Sequence, residues 1–290
     1  MKSIQPSSQF AGDDGSADAE LTRLLAGHVT GVVPLRDVVA RLAETRVLVP
    51  VLAELGVAEQ NPEGLTVDKE ASSGVVALEA PDGRRALPVF TSVETMRAWR
   101  ADARPVPVEA TRAALSAVNE NWALVVVDPA GPATALVPRP AVWALAQGQP
   151  WRPALVPHED GIVVDPEVAS EVAVAAAPVQ HVVRAHAEPG RTAEVAVVLA
   201  LDPGLDRAGL DAVLGQVNAR LAASEVISSR VDSSSCASAR PADLRRAPGP
   251  VRAPGGAQQP FAGVNAVSSA SMSWSVDRGT SRLLSSAVLA

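Results

Sequence analysis

The sequence predicts an α/β or α+β fold: a mixed β-sheet with flanking helices, followed by a second, smaller α/β unit. Three observations carry that prediction. WALVVVD (122–128) is a continuous apolar run of a length that suits a strand buried on both faces. GVVALEAPDGRRALPVF (74–90) sets two β-like runs on either side of Pro81-Asp82-Gly83, a hairpin signal because glycine takes positive φ freely. Helical patterns such as TSVETMRAW (91–99) and PAVWALAQG (140–148) alternate with these strands, which is the mark of helices laid on a sheet.

Taken in order, residues 1–17 are rich in Ser, Gln, Gly and Asp and read as a disordered leader. Asp18 is a candidate N-cap for a helix through LTRLLAG (21–27), with Gly27 as its stop. Pro34 then stands where a first helical turn begins, and Leu35, Val38, Val39 and Leu42 follow at helical spacing. RVLVPVLAEL (46–55) carries Pro50 and reads as an edge or bulged strand. The polar AEQNPEGLTVDKEASS (58–73) is expected to loop out.

Thr91-Ser92-Val93-Glu94 matches a capping box with Thr91 as N-cap and Glu94 as its return partner. Met96 and Trp99 lie on the helix that follows. EATRAALSAV (109–118) is a further helix, Pro129-Ala130-Gly131-Pro132 a turn, TALVP (134–138) a returning strand, and Pro140 to Gly148 frames a helix containing Trp143. The second unit begins near Trp151. GIVVD (161–165) is a short strand, EVASEVAVAAA (167–177) a helix or linker, VQHVVRAHAEP (179–189) an alternating run and AEVAVVLALDPG (193–204) a strong apolar strand. Leu210, Val213, Leu214, Val217 and Leu221 then trace an amphipathic helix. The expected organisation is a leader at 1–17, a first domain at 18–152, a second unit at 153–232 and a tail at 233–290.

That tail, SSSCASARPADLRRAPGPVRAPGGAQQP onward, has no hydrophobic period and reads as disordered. A second reading is a shifted reading frame. With GC-rich codons, an alternative frame across Ser233–Arg240 spells Val-Glu-Leu-Arg-Leu-Arg-Pro, an alternating strand of the kind that a β-α unit at 193–222 calls for next.

Composition narrows the function classes. A net charge of −7 argues against non-specific nucleic-acid binding, which needs a basic face. The single Cys236 rules out an internal disulfide framework and a thiolate metal cluster. No apolar run approaches the roughly 18 residues of a membrane span, and the polar, acidic N-terminus has no signal-peptide core. The expectation is therefore a cytoplasmic protein that binds neither nucleic acid nor membrane.

Candidate chemistry is sparse. His28, His158, His181 and His186 are the only imidazoles; the last two, five apart on a strand, point to opposite faces and share no metal. His158-Glu159-Asp160 reads as a solvated turn, Asp13-Asp14 sits in the leader, and Cys236 in the tail is no catalytic thiol. There is no G-x-S-x-G elbow, Walker A loop or G-x-G-x-x-G. No catalytic, cofactor or metal residues are expected. With aromatics at 3% and no Tyr, the grouping of Trp99, Trp122, Trp143 and Trp151 stands out. It reads as core and domain-interface packing or as a recognition groove, since Trp and Arg concentrate at binding hot spots. Arg97, Arg100, Arg139 and Arg152 lie near them in sequence. The candidate interaction surface is Trp99, Arg100, Arg139, Trp143 and Trp151.

LPVFTSVETMRAW, NENWALVVVDP, ALVPRPAVWALAQGQPW and LDPGLDRAGLDAVLGQVNARL together resemble the SseB (enhanced serine sensitivity) family in its actinobacterial form, over about residues 20–232. The resemblance implies an SseB N-terminal domain followed by a second α/β unit, with no catalytic residues to carry over. It also implies that the chain continues past VDS as a strand, where this sequence departs. The expected function is a non-enzymatic module that binds a protein or small-molecule partner. The alternative, suggested by the family name, is an enzyme or metabolite sensor connected with serine metabolism.

Overall fold

Asp18 opens helix α1 (Ala19–Val29) by accepting the Leu21 amide at 2.8 Å, and Arg41 of α2 (Leu35–Ala43) grips the same carboxylate at 2.8 and 3.0 Å. Capping and pairing together hold the Asp18 carboxyl at about 2, with the Arg41 contact the larger cause. The computed structural model describes residue 10 and residues 12–53, 73–80, 82–159, 161–239 and 275–276. Gly27 does not stop α1. It lies inside the helix because Val33 folds back onto it: a Cβ at Gly27 would stand 2.4 Å from Val33 Cγ2, and the Val32 and Val33 amides both donate to the Gly27 carbonyl. The left-handed residue of this turn is Gly31, at φ 76°.

The first unit contains two sheets. In one, β1 (Arg46–Ala53) lies between β2 (Ser73–Val75) and β5 (Arg104–Glu109), antiparallel to both. Pro50 therefore sits in a central strand rather than at an edge. Its missing N–H faces a gap, since β1 pairs with Phe90 at Leu48 and with β2 only from Val51 onward. Pro105 and Pro107 stand opposite Pro50 and Leu48, which turns their nitrogens toward the open edge of β5. Proline at two of its six positions hid β5 in the sequence. The loop expected at 58–73 lies outside the described residues except for Ser73, which opens β2.

The second sheet has the order β13-β3-β4-β6-β7, from β13 (Ser275–Val276), β3 (Leu78–Glu79), β4 (Arg85–Val89), β6 (Leu124–Val127) and β7 (Ala135–Val137). The expected hairpin joins β3 to β4, with Gly83 at φ 81°. Strands β4 and β6 are parallel, linked by α3 (Val93–Trp99), β5 and α4 (Ala110–Asn119). The run at 122–128 is buried on both faces as its composition demands. Val125 and Val127 enter a core with α1, α2, α4, β7 and α5 (Arg139–Ala146), while Leu124 and Val126 turn to Leu78, Ala86 and Trp99. Ala113, Ala114 and Ala117 line the inner face of α4, so this core is closed by small side chains brought close rather than by large ones.

The capping box is shifted by one residue. Ser92 is the N-cap of α3, accepting from the Thr95 amide at 3.1 Å, and Thr95 rather than Glu94 returns the contact. Thr91 is engaged elsewhere. Its amide and hydroxyl donate to the two carboxylate oxygens of Asp128 at 2.8 and 2.7 Å, and the Thr95 hydroxyl donates to Asp128 at 2.8 Å. Asp128 is 5% exposed and ends β6 at φ 48°. A buried carboxylate demanding donors thus overrode the register that the sequence pattern suggested.

Residues 12–17, expected as leader, are instead tied down. Asp13 forms a two-point ion pair with Arg46, at 2.5 and 3.0 Å, that lowers its carboxyl. The Gly15 carbonyl accepts the Val93 amide, and Arg46 also donates to the Ser16 and Thr91 carbonyls. Residues 1–9 and 11 lie outside the described residues.

The second unit has its own core. The hairpin of β8 (Leu155–His158) and β9 (Gly161–Val164) precedes α6 (Pro166–Ala176), resolving the helix-or-linker question as a helix. Strands β10 (Val182–Pro189) and β11 (Val195–Leu201) are antiparallel. Helices α7 (Arg207–Ala223) and α8 (Glu225–Arg230) then lead to β12 (Ser234–Ala239), parallel to β11. This corrects the reading of a tail beginning at Ser233. Ser234–Ala239 has no hydrophobic period, yet it completes a β-α-β unit through its backbone, which any small residues supply. Residues 240–274 and 277–290 of the expected tail lie outside the described residues.

The Asp128 contacts set a graded expectation. Asp128→Ala leaves three donors without their acceptor and lowers stability by about 3 kcal/mol; Thr91→Val removes one hydroxyl bond and costs about 1 kcal/mol. Urea denaturation of the two variants measures both.

Candidate interaction surface

Helix α5 is built to show one face. Pro138 precedes it and Pro140 lies in its first turn, where a missing amide costs nothing. Gly148 closes the C-terminal turn at φ 64°, its amide donating to the Leu145 carbonyl. Pro140, Ala141, Val142 and Leu145 point into the first core. Trp143 points away from it and is 46% exposed; Leu115, on the neighbouring α4, is 48% exposed.

The five sequence-predicted residues take different roles. Trp99 is half-buried, its ring 5.2 Å from that of Phe90, and joins the apolar clusters around Met96 and Leu78. Arg100 forms a two-point pair with Asp102 at 2.8 and 3.0 Å, which lowers the Asp102 carboxyl. Arg139, four residues before Trp143 on α5, reaches the second unit: its guanidinium donates to the carbonyls of Ser228, at 3.0 Å, and Val231, at 2.7 Å. Trp151 is half-buried against the first core, and its indole N–H has no hydrogen-bond partner among the described residues. Only Trp143 of the four grouped tryptophans is an exposed apolar side chain; Trp122 is partly buried in the first core.

The polar residues that matter most to the structure were not singled out from the sequence. Asp128 is one; the signal available was an acid closing a strand otherwise buried throughout. A second set lies where the two units meet. Arg84, on the β3–β4 hairpin, pairs with Asp232 at 2.9 Å, and the Asp232 amide donates to Glu194 at 2.7 Å. Burial pushes the Glu194 carboxyl up to about 7; the Asp232 amide that it accepts opposes the rise, the nearby Asp232 charge adds to it, and Arg139 opposes it. Arg230, only 7% exposed, binds Asp165, Glu167 and the carbonyls of Arg152 and Pro153, so the linker between the units is anchored to α8.

The remaining candidates have local partners. His181 precedes β10 at φ 69°, with Nδ1 3.2 Å from Asp202, and His186 lies within β10, with Nε2 3.8 Å from Glu188. Cys236 is part of β12, its thiol 3.2 Å from the Asn218 side-chain oxygen and pushed up by burial. Among the described residues no group of three or more His, Cys, Asp or Glu is placed to hold a metal ion, and no helix is long and apolar enough to cross a membrane. A small void within the first core is lined by Leu42, Val47, Val89, Ala110, Val125 and Leu145 among others, all apolar.

The parallel β4 and β6, helix α3 over Phe90 and the start of the proline-framed α5 lie within residues 21–144, which match the family model of the SseB protein N-terminal domain. Over that segment the chain is similar to the SseB family. A search of the curated proteins and of the solved structures found no match. The matched segment of the SseB domain ends inside α5, one residue after Trp143. Arg84 and Arg139, which hold the second unit, both belong to it.

Arg139 and Arg100, both expected at the surface, divide in their effect on stability. Arg139→Ala removes two hydrogen bonds to α8 and lowers stability by about 1–2 kcal/mol in urea denaturation, whereas Arg100→Ala, which breaks an exposed contact between near neighbours, leaves the midpoint unchanged.

Proposed function

We propose that this SseB-like chain is a binding module without catalytic chemistry of its own, and that it works through the outward face of α5. One observation carries the reading: Trp143 is held in the open on a rigid helix whose opposite side is locked into the core. A fixed indole gives a large contact area at low cost in side-chain entropy, which is why tryptophan dominates binding hot spots. Leu115 on α4 extends the apolar surface, and Arg139, one turn before Trp143, is held by the second unit. The partner is a protein or small ligand that presents an apolar pocket or ring to Trp143. The reading places the protein in the cytoplasm.

Trp143→Ala tests it, using the tagged full-length chain in affinity capture from the native host followed by binding measurements on the captured partner. Because the side chain is exposed, the variant keeps the parent melting temperature. Loss of a hot-spot indole weakens partner binding about 30-fold, corresponding to about 2 kcal/mol. Undiminished binding by a folded Trp143→Ala variant defeats the proposal.

A further inference from the structure

The two units meet at the end of α8 and the short link, 231–233, that joins it to β12. First-domain arginines reach this link from two directions: Arg139 of α5 donates to the Ser228 and Val231 carbonyls, and Arg84 of the β3–β4 hairpin pairs with the Asp232 carboxylate. Behind the link stands Glu194, just before β11. One of its oxygens accepts the Asp232 amide at 2.7 Å, while its own amide donates to the Ser233 hydroxyl at 3.0 Å. The charged groups that face Glu194 are Asp232, from the link, and Arg139, from α5.

Neither answers a negative charge on Glu194 well. The Asp232 carboxylate is of like sign and already paired with Arg84, and the Arg139 guanidinium is occupied by two carbonyls. The Asp232 amide favours the anion, but burial and the like charge of Asp232 outweigh it, so a neutral carboxyl whose oxygen still accepts that amide suits the position.

We infer that the contact between the two units is a pH-gated clasp, closed on a neutral Glu194 and loosened when that carboxyl ionises. The group's raised value, about 7 against an ordinary 4.5, sets the window. Between those limits the closed form keeps a proton that a solvated Glu194 releases. Closure is therefore favoured at the acidic end and weakens as pH rises toward and through about 7. The full span corresponds to a change on the order of 100-fold in the open-to-closed ratio.

Amide hydrogen exchange of the full chain at about pH 6 and about pH 8.5, corrected for the intrinsic exchange rate, reads the clasp from both sides. In the parent chain, protection is expected to fall at the higher pH in the link, in the β3–β4 hairpin and in α5 together. Glu194→Gln keeps an oxygen for the Asp232 amide and cannot ionise, so its protection is expected to be the same at both pH values. Arg84→Gln, which removes the Asp232 pair, is expected to show weakened protection on both sides at either pH. Equal protection of the parent at the two pH values overturns the inference. So does a pH-dependent loss that survives in Glu194→Gln, a loss confined to β11 and β12, or an Arg84→Gln variant as protected as the parent.

Discussion

The first domain depends on one buried carboxylate. Asp128 follows a strand whose every residue is buried and is itself only 5% exposed, so its carboxylate must be met by donors. Those donors are the amide and hydroxyl of Thr91 and the hydroxyl of Thr95. Meeting the charge therefore fixes the end of β4 and the start of α3 relative to the end of β6. The direction of α3 then lays Met96 and Trp99 over Phe90. Phe90 is bonded through both its amide and its carbonyl to Leu48, and this bridge joins the two sheets. The N-terminal segment closes over the same end through Arg46, which bonds the Thr91 carbonyl and Asp13.

What the sequence made legible is what hydrophobic period and length determine. The doubly buried β6 and the Leu/Val stripe of α2 follow from apolar spacing, as does α7, where Val213, Val217 and Leu221 are buried, and the Gly83 hairpin follows from its turn residues. Contacts distant in the chain were not legible. Thr91 looked like a helix cap because a cap is a local pattern, while its true partner lies 37 residues away. Proline misled in the same way: Pro50 is excluded from a central strand only if an acceptor stands opposite its nitrogen, and the gap that removes that acceptor depends on where β2 begins.

The candidate surface divides along similar lines. Exposure of a residue such as Trp143 depends on which face of α5 the core takes, and the apolar spacing of Ala141, Val142 and Leu145 carries that information. The fate of an arginine does not follow from its own helix. Arg139 is one turn from Trp143, yet it holds α8, because uncapped carbonyls at a helix end attract a guanidinium when the fold brings one near. Glu194 and Asp232 acquire their meaning only when the two units are put together.

Strand β12 has a consequence for how this gene can vary. Its place in the second sheet is assigned by the β11 backbone beside it; of the side chains at 234–237, Cys236 packs against the second core, while Ser234 and Ala237 face solvent. A position templated in this way is nearly blind to spelling. Substitutions at Ser234 and Ala237 should drift freely among small and β-compatible types, while the neighbouring Val231–Asp232 pair, on which the arginines of the first domain close, stays constrained.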